Sequence, residues 1–372
     1  MNQTDALAQA EAARALRDRF VAAGAVPVEP DILMPAEMLI ELYGEDIRAR
    51  AYTCADPLRG ELMLRPDFTV GVAQHHLAKG QGPSRYAYAG PVFRQQEADP
   101  DRPSEYQQAG LEILDGTDPA DAEADVFAAM AEATAPLGLR AAIGDIGLLT
   151  AAISGLTASD VRKVALTRHL WRPRRFRALL DRFAGRKSPP AARARLLETL
   201  EADGAPFSDA GPQIGLRSRE EITVRLSRLQ ADAAEPPIPD REVALLEQLL
   251  ALRDTAPAAG EQLRDLAVDL PAILPAVSKF TARLDALTAR GVDPGTLEFE
   301  GSYGRTTLEY YDGFVFGLSA PSRPDLPSVV TGGRYDALTR VLGGGAPCRA
   351  VGAAVRVHIG SEVARTRGVQ WP

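Results

Sequence analysis

The chain has 372 residues, of which 45% are hydrophobic and 25% are charged, as in typical globular proteins. A net charge of −8 argues against broad nucleic-acid binding, and the presence of only two cysteines argues against a disulfide framework and a cysteine zinc site. The four histidines have no metal-ligand spacing, no apolar run approaches the roughly 20 residues that span a bilayer, and the first residues lack a signal-peptide layout. We therefore expect a soluble cytoplasmic protein without a metal, a cofactor or a membrane segment.

The first 157 residues alternate between helix and strand signals. Asp118 and Pro119 have the residue types of a helix N-cap and first turn, and Pro66 ends a preceding strand pattern. The predicted elements are a helix over 5–23, a strand over 61–65, a helix over 70–79, two strands within 86–114, a helix from 119, a strand over 139–143 and a turn into 146–153.

The middle of the chain, 158–289, is rich in Leu, Ala and Arg and has few strand signals, so we predict a helical insertion or subdomain. Strand character returns over 297–300, 307–318 and 328–331. A short helix over 336–342 and a strand or strand-to-helix segment over 349–359 follow. Residues 1–157 and 290–372 would form one α+β unit, with helices packed on a largely antiparallel sheet.

A basic stretch departs from the acidic background of the chain. Between Val161 and Arg195 there are twelve lysines and arginines and one acid, Asp181. A solvated helical face explains such a run, and a docking surface for an acidic partner or a phosphate-bearing ligand is the alternative. The sequence leaves both interpretations open.

Polar side chains and glycine share one face of the two strands within 86–114. Side chains alternate along a strand, so Gln108, Gly110 and Glu112 lie on the face opposite Leu111. By the same alternation, Arg94 is the last residue on the polar face of the first strand. The glycine between Gln108 and Glu112 predicts room for a ligand above the sheet.

The segment TTLEYYDGFVFG repeats this arrangement. Glu309, Tyr311 and Gly313 would share one face, whereas Tyr310 would lie on the other and belong to the core. A small zwitterion could be recognised here, because carboxylates, amides and hydroxyls accept from an ammonium and a guanidinium pairs with a carboxylate. The candidate binding residues are Asp67, Thr69, Arg94, Gln108, Glu112 and Tyr311. A sheet face that is exposed to solvent explains the spacing equally well.

The motifs together resemble the catalytic core of histidyl-tRNA synthetase, a class II aminoacyl-tRNA synthetase. LRPDFT, YAGPVFR, a loop with Arg102, YQQAGLE, LEYYDG and GGRYD follow that family's order, and the likeness covers roughly 5–360. The resemblance implies an antiparallel sheet flanked by helices, a homodimer and a histidine pocket. It implies contacts of Asp67, Thr69 and Gln108 with the α-amino group, and of Glu112 and Tyr311 with the imidazole.

Several positions depart from the synthetase pattern. Thr306 replaces an arginine that neutralises charge during adenylate formation, and Arg305, one place off, would face the other side of a regular strand. Ile359 replaces the arginine of the third class II motif, and an apolar side chain cannot replace a guanidinium against phosphate or adenine. Gln96 replaces an acidic residue. Twelve residues follow Gly360, too few for an anticodon-binding domain.

A synthetase-like core with a retained amino-acid pocket resembles the regulatory subunits of ATP phosphoribosyltransferase. That resemblance implies a protein without catalytic residues that joins a short-form catalytic subunit, which starts histidine biosynthesis, and that has histidine as its effector. An active or truncated histidyl-tRNA synthetase is the alternative. A stand-alone class II-like enzyme that forms another amide or aminoacyl bond is a third hypothesis. Both enzymes would require the ATP-binding groups that are replaced here.

Overall fold

A nine-stranded sheet organises the computed structural model, which describes residues 3–43, 45–80, 82–96, 102–116, 118–203, 214–305 and 310–372. The strands are β1 (Val26–Pro27), β2 (Leu33–Pro35), β3 (Thr53–Asp56), β4 (Gly60–Leu64), β5 (Ser84–Phe93), β6 (Glu105–Leu114), β7 (Arg140–Asp145), β8 (Arg253–Thr255), β9 (Glu298–Glu300), β10 (Phe314–Ser319), β11 (Val330–Arg334) and β12 (Ala350–Arg356).

The strand order of the large sheet is β1-β5-β6-β12-β11-β10-β7-β9-β8. The β1–β5 and β7–β9 pairs are parallel, and the other neighbouring pairs are antiparallel. Strands β2, β4 and β3 form a separate antiparallel sheet. The predicted α+β fold with a largely antiparallel sheet is confirmed.

Helices flank the sheet. The N-cap of the fourth helix is the predicted one, because the Asp118 carboxylate accepts hydrogen bonds from the Ala120 and Asp121 amides at 2.8 and 3.1 Å. The helices are α1 (Gln3–Ala22), α2 (Ala36–Tyr43), α3 (Thr69–Lys79), α4 (Pro119–Ala133), α5 (Ile146–Ser154), α6 (Asp160–Arg168), α7 (Pro173–Phe183), α8 (Ala191–Asp203), α9 (Arg219–Ala234), α10 (Asp240–Ala251), α11 (Ala256–Asp269), α12 (Leu274–Ala289), α13 (Asp336–Leu342) and α14 (Val357–Arg367).

The predicted strand over 307–318 is wrong at 310–313, because β10 begins at Phe314. The Asp312 carboxylate accepts from the amides of Asp336 and Ala337 at the start of α13, at 3.1 and 2.6 Å. This contact holds the chain out of the sheet before β10, so strand alternation does not apply to Tyr310 and Tyr311. Residues 306–309, which include Thr306 and Glu309, lie outside the described residues.

The middle segment, 158–289, is mostly helical, but it is also joined to the large sheet. Strand β8 pairs with β9 at the sheet edge, with Asp254 opposite Phe299. Helix α12 packs against α4 on the sheet's covering layer. The division at 158 and 289 into a core and an insertion stays a prediction.

Much of the basic stretch is engaged in ion pairs within this segment. Arg162 is 5% exposed, and its Nε lies 2.8 Å from Asp232 and 3.2 Å from Glu235. Arg186 pairs in the same way with acids of α10, including Glu247 at 2.9 Å. These arginines therefore hold α6 and α7 against α9 and α10, which neither sequence interpretation of the basic stretch anticipated.

Four buried charges connect α12 to the core. Arg283 donates through Nη2 to Asp145 at 2.8 Å and through Nε to Glu123, while Arg334 donates to the second oxygen of Glu123. All four residues are at most 9% exposed. Burial alone would raise the pKa of Glu123, but the two guanidinium groups outweigh it and hold that pKa below its ordinary value.

We expect Arg283→Leu to lower the free energy of unfolding by about 3–5 kcal/mol, because Glu123 and Asp145 would keep buried charges without their partner. Chemical denaturation of both proteins measures the difference. Arg241→Leu is the matched control, since the Arg241 side chain is 72% exposed and its pair with Asp269 is worth at most about 1 kcal/mol. Equal losses in the two variants would contradict this account.

Candidate ligand site on the polar sheet face

The register of β5 and β6 brings the polar side chains to one face, as alternation predicted. Tyr88 pairs with Gly110 and Gly90 with Gln108. The Tyr88 hydroxyl then reaches across to Glu112, donating to Oε1 at 3.3 Å. The shared face therefore holds a connected polar cluster.

Glu112 is the centre of this cluster and is 1% exposed. Besides Tyr88, Thr69 at the start of α3 donates to Oε1 at 2.9 Å, and Tyr335 donates to Oε2 at 2.8 Å. Gly352 on β12 faces the same carboxyl group, and a Cβ there would lie 1.3 Å from Oε2. Only glycine at that position leaves space for the buried acid.

Burial raises the pKa of Glu112 to about 8, although the hydroxyls of Tyr335, Thr69 and Tyr88 oppose the shift. The negative charge of nearby Asp67 adds to the increase. Near neutral pH the group is therefore largely a carboxylic acid, which can donate as well as accept a hydrogen bond.

Tyrosine rings cover the part of the site around Glu112. Tyr310 donates to the Tyr311 hydroxyl at 3.2 Å, and the two rings lie 4.4 Å apart between centroids. Both rings also contact the Tyr335 ring. Tyr310 packs against the core as predicted, but its assignment to the opposite strand face was wrong, because the residue lies before β10 and contacts Tyr311 and Tyr335.

The space above Gly110 is filled by protein. A Cβ at position 110 would lie 2.2 Å from the Tyr88 hydroxyl oxygen, so this glycine accommodates Tyr88. The Tyr88 ring stacks on Phe68 at 4.3 Å, and the Arg65 guanidinium lies 3.9 Å above Phe68. The expectation that Gly110 leaves room for a ligand is corrected: its neighbour on β5 uses that room.

The other end of the site is cationic. Arg356 on β12 pairs in register with Gln108, and burial, followed by the nearby charge of Arg94, lowers its pKa. Arg94 donates to the Pro66 carbonyl at 2.8 Å and lies 3.9 Å from the Asp67 carboxylate. Two neighbouring guanidinium groups thus lie at this end, and that of Arg356 belongs to the cross-strand partner of Gln108.

Gln108 is 3% exposed, and its Oε1 has no hydrogen-bond partner among the described residues. A buried acceptor without a partner costs about 1–3 kcal/mol, so this atom is suited to a donor supplied by a ligand. Gln108 and Glu112 are four residues apart on β6, which corresponds to about 13 Å between their Cα atoms. The site is therefore elongated, with different chemistry at its two ends.

The six predicted residues lie along the polar face or beside it, and their role in binding stays a prediction. The sequence reasoning did not include Tyr88, Tyr335 or Arg356 among them. Tyr335 follows β11 at the next position of the alternation Thr331, Gly333, and this spacing could have indicated it. Arg356 could have been found from its place at the end of β12, on the same alternation as Gly352.

The positions that depart from the synthetase pattern have other structural roles. Ile359 is 5% exposed in α14. Arg305 is turned towards the middle segment, where Nε donates to the Leu170 carbonyl at 2.8 Å and the guanidinium lies 4.7 Å above the Phe176 ring. Gln96 donates to the Pro103 carbonyl at 3.2 Å.

Comparison with known proteins agrees with this architecture. A family model described as histidyl-tRNA synthetase matches residues 1–234 and 223–359. The ATP phosphoribosyltransferase regulatory subunit of Brucella canis is 32% identical over 361 residues, which cover 88% of this chain and 90% of that protein. The chain belongs to the family of ATP phosphoribosyltransferase regulatory subunits.

Solved structures of this family's fold are similar to the chain. An ATP phosphoribosyltransferase regulatory subunit/histidyl-tRNA synthetase from Bacillus halodurans has a TM-score of 0.64 and 21% identity, covering 95% of this chain and 78% of that one. Histidyl-tRNA synthetase from Nostoc has a TM-score of 0.62 and 16% identity, covering 99% and 73%. They support the class II synthetase-like fold. In the described part of the chain, no helix is both long and apolar enough to cross a bilayer.

The pKa of Glu112 gives a pH dependence of stability. The folded state keeps a proton up to about pH 8 that an unfolded glutamate loses near 4.5, so rising pH favours unfolding across that window. Between about pH 6 and pH 8 we expect wild type to lose about 2 kcal/mol relative to Glu112→Gln. Urea denaturation of both proteins at the two pH values measures this change. Parallel pH profiles would contradict the raised pKa.

Proposed function

We propose that this chain is a non-catalytic regulatory subunit that assembles with a short-form catalytic ATP phosphoribosyltransferase subunit and supports the first step of histidine biosynthesis. The observation that carries this proposal is the 32% identity over nearly the whole length of proteins that bear the regulatory-subunit name. A homodimer within the hetero-oligomer is part of the proposal.

The proposed lack of adenylation activity rests on two side chains. Ile359 is buried and apolar at the position of the motif-3 arginine, and it offers no charge to a triphosphate. Arg305 is occupied by the Leu170 carbonyl and the Phe176 ring. Stabilisation of a developing phosphate charge requires donors directed at that charge, and neither residue supplies one.

Histidine is the proposed effector, and the two ends of the site suit its two parts. Arg94 and the neighbouring Arg356 can attract the α-carboxylate. The Oε1 of Gln108, which has no hydrogen-bond partner among the described residues, can accept from the α-ammonium. Glu112, protonated near neutral pH, can exchange hydrogen bonds with an imidazole nitrogen. The proposed histidine-binding residues are Asp67, Thr69, Arg94, Gln108, Glu112 and Tyr311.

Histidine can regulate the complex only if it binds two states of that complex with different affinity. The hydroxyls of Thr69, Tyr88 and Tyr335 hold the Glu112 carboxyl group, and they come from α3, β5 and the end of β11. A ligand that takes over one of these hydrogen bonds changes how these three elements are joined. This rearrangement is the proposed route from the site to the catalytic partner.

Mixing the purified chain with a short-form catalytic subunit tests the function. We expect phosphoribosyltransferase activity that depends on the added chain and co-elution of the two proteins in size-exclusion chromatography. The chain alone should catalyse no histidine-dependent exchange of pyrophosphate into ATP, because Ile359 and Arg305 cannot serve the triphosphate. Failure to form a complex would contradict the regulatory role, and measurable exchange would favour the synthetase alternative.

Isothermal titration calorimetry with histidine tests the effector site. Gln108→Ala removes the buried acceptor and should weaken binding about tenfold, the equivalent of about 1.4 kcal/mol. Gln107→Ala is the matched control, since the neighbouring Gln107 alternates to the opposite face and lines a cleft with Arg14 and Arg17 of α1. Equal affinities for the two variants would remove Gln108 from the proposed site.

A further inference from the structure

A second cluster of chemically active side chains lies at the far end of α3, away from the site around Gln108. It consists of His76 in α3, Asp115 directly after β6 and Cys348 shortly before β12. One nitrogen, one carboxylate oxygen and the sulfur of these residues all lie within 4.8 Å of one another. No metal-ligand spacing is visible in the sequence, because the three residues come from distant parts of the chain.

Hydrogen bonds hold the three side chains together. The Nε2 of His76 is 3.2 Å from Oδ2 of Asp115. The Cys348 thiol donates a hydrogen bond to the same carboxylate. The Nδ1 of His76 is 3.2 Å from the Tyr86 hydroxyl on β5. With the proton on Nε2 the ring donates to Asp115 and Nδ1 accepts from Tyr86; with the proton on Nδ1 the ring donates to Tyr86, and the Nε2 lone pair is free for a metal ion.

The backbone fixes Asp115 in an uncommon conformation. Its φ is +53°, in the left-handed region that few residues other than glycine adopt. Its amide donates to the Arg349 carbonyl at 2.7 Å, which ties the end of β6 to the residue after Cys348. The amide of Gly82 donates to its carboxylate. The carboxylate is thereby held between the histidine and the cysteine.

Access to the cluster is from one side. His76 and Cys348 are 1% and 5% exposed, whereas the Asp115 side chain is 22% exposed. A bound ion would thus have three protein ligands on its buried side. Its fourth coordination position would be open to solvent. Three protein ligands with one water is the coordination that zinc has in its open sites.

We propose that His76, Asp115 and Cys348 bind a divalent transition metal ion of the zinc type. An imidazole nitrogen, a carboxylate and a thiolate form a mixed donor set that suits zinc and cobalt, whereas magnesium and calcium require oxygen ligands. The negative charges of a carboxylate and a thiolate would together balance the two positive charges of a divalent ion. The Tyr86 hydroxyl contacts Nδ1, the ring nitrogen that would not bind the ion, and so orients the ring, as the hydrogen-bond partners of metal-bound histidines do.

A bound ion would link α3 to the ends of the strands that hold the amino-acid site. Helix α3 begins with Thr69, which donates to Glu112, and β6 carries Glu112 itself three residues before Asp115. The metal would therefore stabilise the frame of that site without entering it. A hydrogen-bonded cluster that never binds metal is the competing explanation.

Titration of the metal-free full chain with Co²⁺ tests the proposal directly. We expect one ion per chain, a thiolate-to-cobalt charge-transfer band and displacement of cobalt by Zn²⁺ but not by excess Mg²⁺. Equilibrium dialysis with Zn²⁺ should give the same stoichiometry. Because both measurements use the wild-type chain, they do not depend on whether any variant folds. The absence of stoichiometric binding would overturn the proposal.

Paired variants locate the site. Cys348→Ser should abolish the charge-transfer band, whereas Cys54→Ser, at the exposed second cysteine, should retain it. His76→Gln should weaken binding more than His75→Gln does. Tyr86→Phe should weaken it about tenfold through loss of the contact to His76. A band that follows Cys54, or equal effects at the two histidines, would overturn the assignment.

Discussion

The buried pairing of Glu123 with Arg283 and Arg334 is the interaction on which the arrangement of the chain depends. It joins α4 to α12 and β11, and Asp145 at the end of β7 completes it. Removing a charge from water costs several kcal/mol per ion. Each of these buried charges is therefore stable only while its oppositely charged partners are present. Arg334 immediately precedes Tyr335, and the network that holds this arginine therefore also positions the tyrosine that donates to Glu112.

The candidate site shows how a sheet face can keep a buried acid. Glu112 is enclosed by three hydroxyls and by a glycine on the neighbouring strand, yet its pKa rises because burial outweighs those hydrogen bonds. At the other end, Arg356 and Gln108 come from paired positions of β12 and β6. A site of this kind suits recognition of a small polar molecule. The proposed role of the chain as a sensor is consistent with this chemistry.

Local patterns predicted most of the helices and strands, because caps, glycines and alternation act over a few residues. The cap of α4, helix α13 and the polar face of β6 are examples. The strand predicted over 307–318 was wrong at 310–313, because the Asp312 carboxylate accepts from the amides of α13, a contact that strand periodicity does not report. The pairing of β8 with β9 and the ion pairs of Arg162 were likewise not predictable, since they join distant segments.

The sequence by itself determined the alternation that puts Gln108, Gly110 and Glu112 on one face, and the motif order that points to a histidyl-tRNA synthetase-like core. These features follow from covalent geometry and from residue identity. Only the tertiary structure decided what fills the space above Gly110, which way Arg305 turns, and that His76 meets Asp115 and Cys348. Each of these depends on the packing of segments far apart in the chain, and no local pattern contains that information.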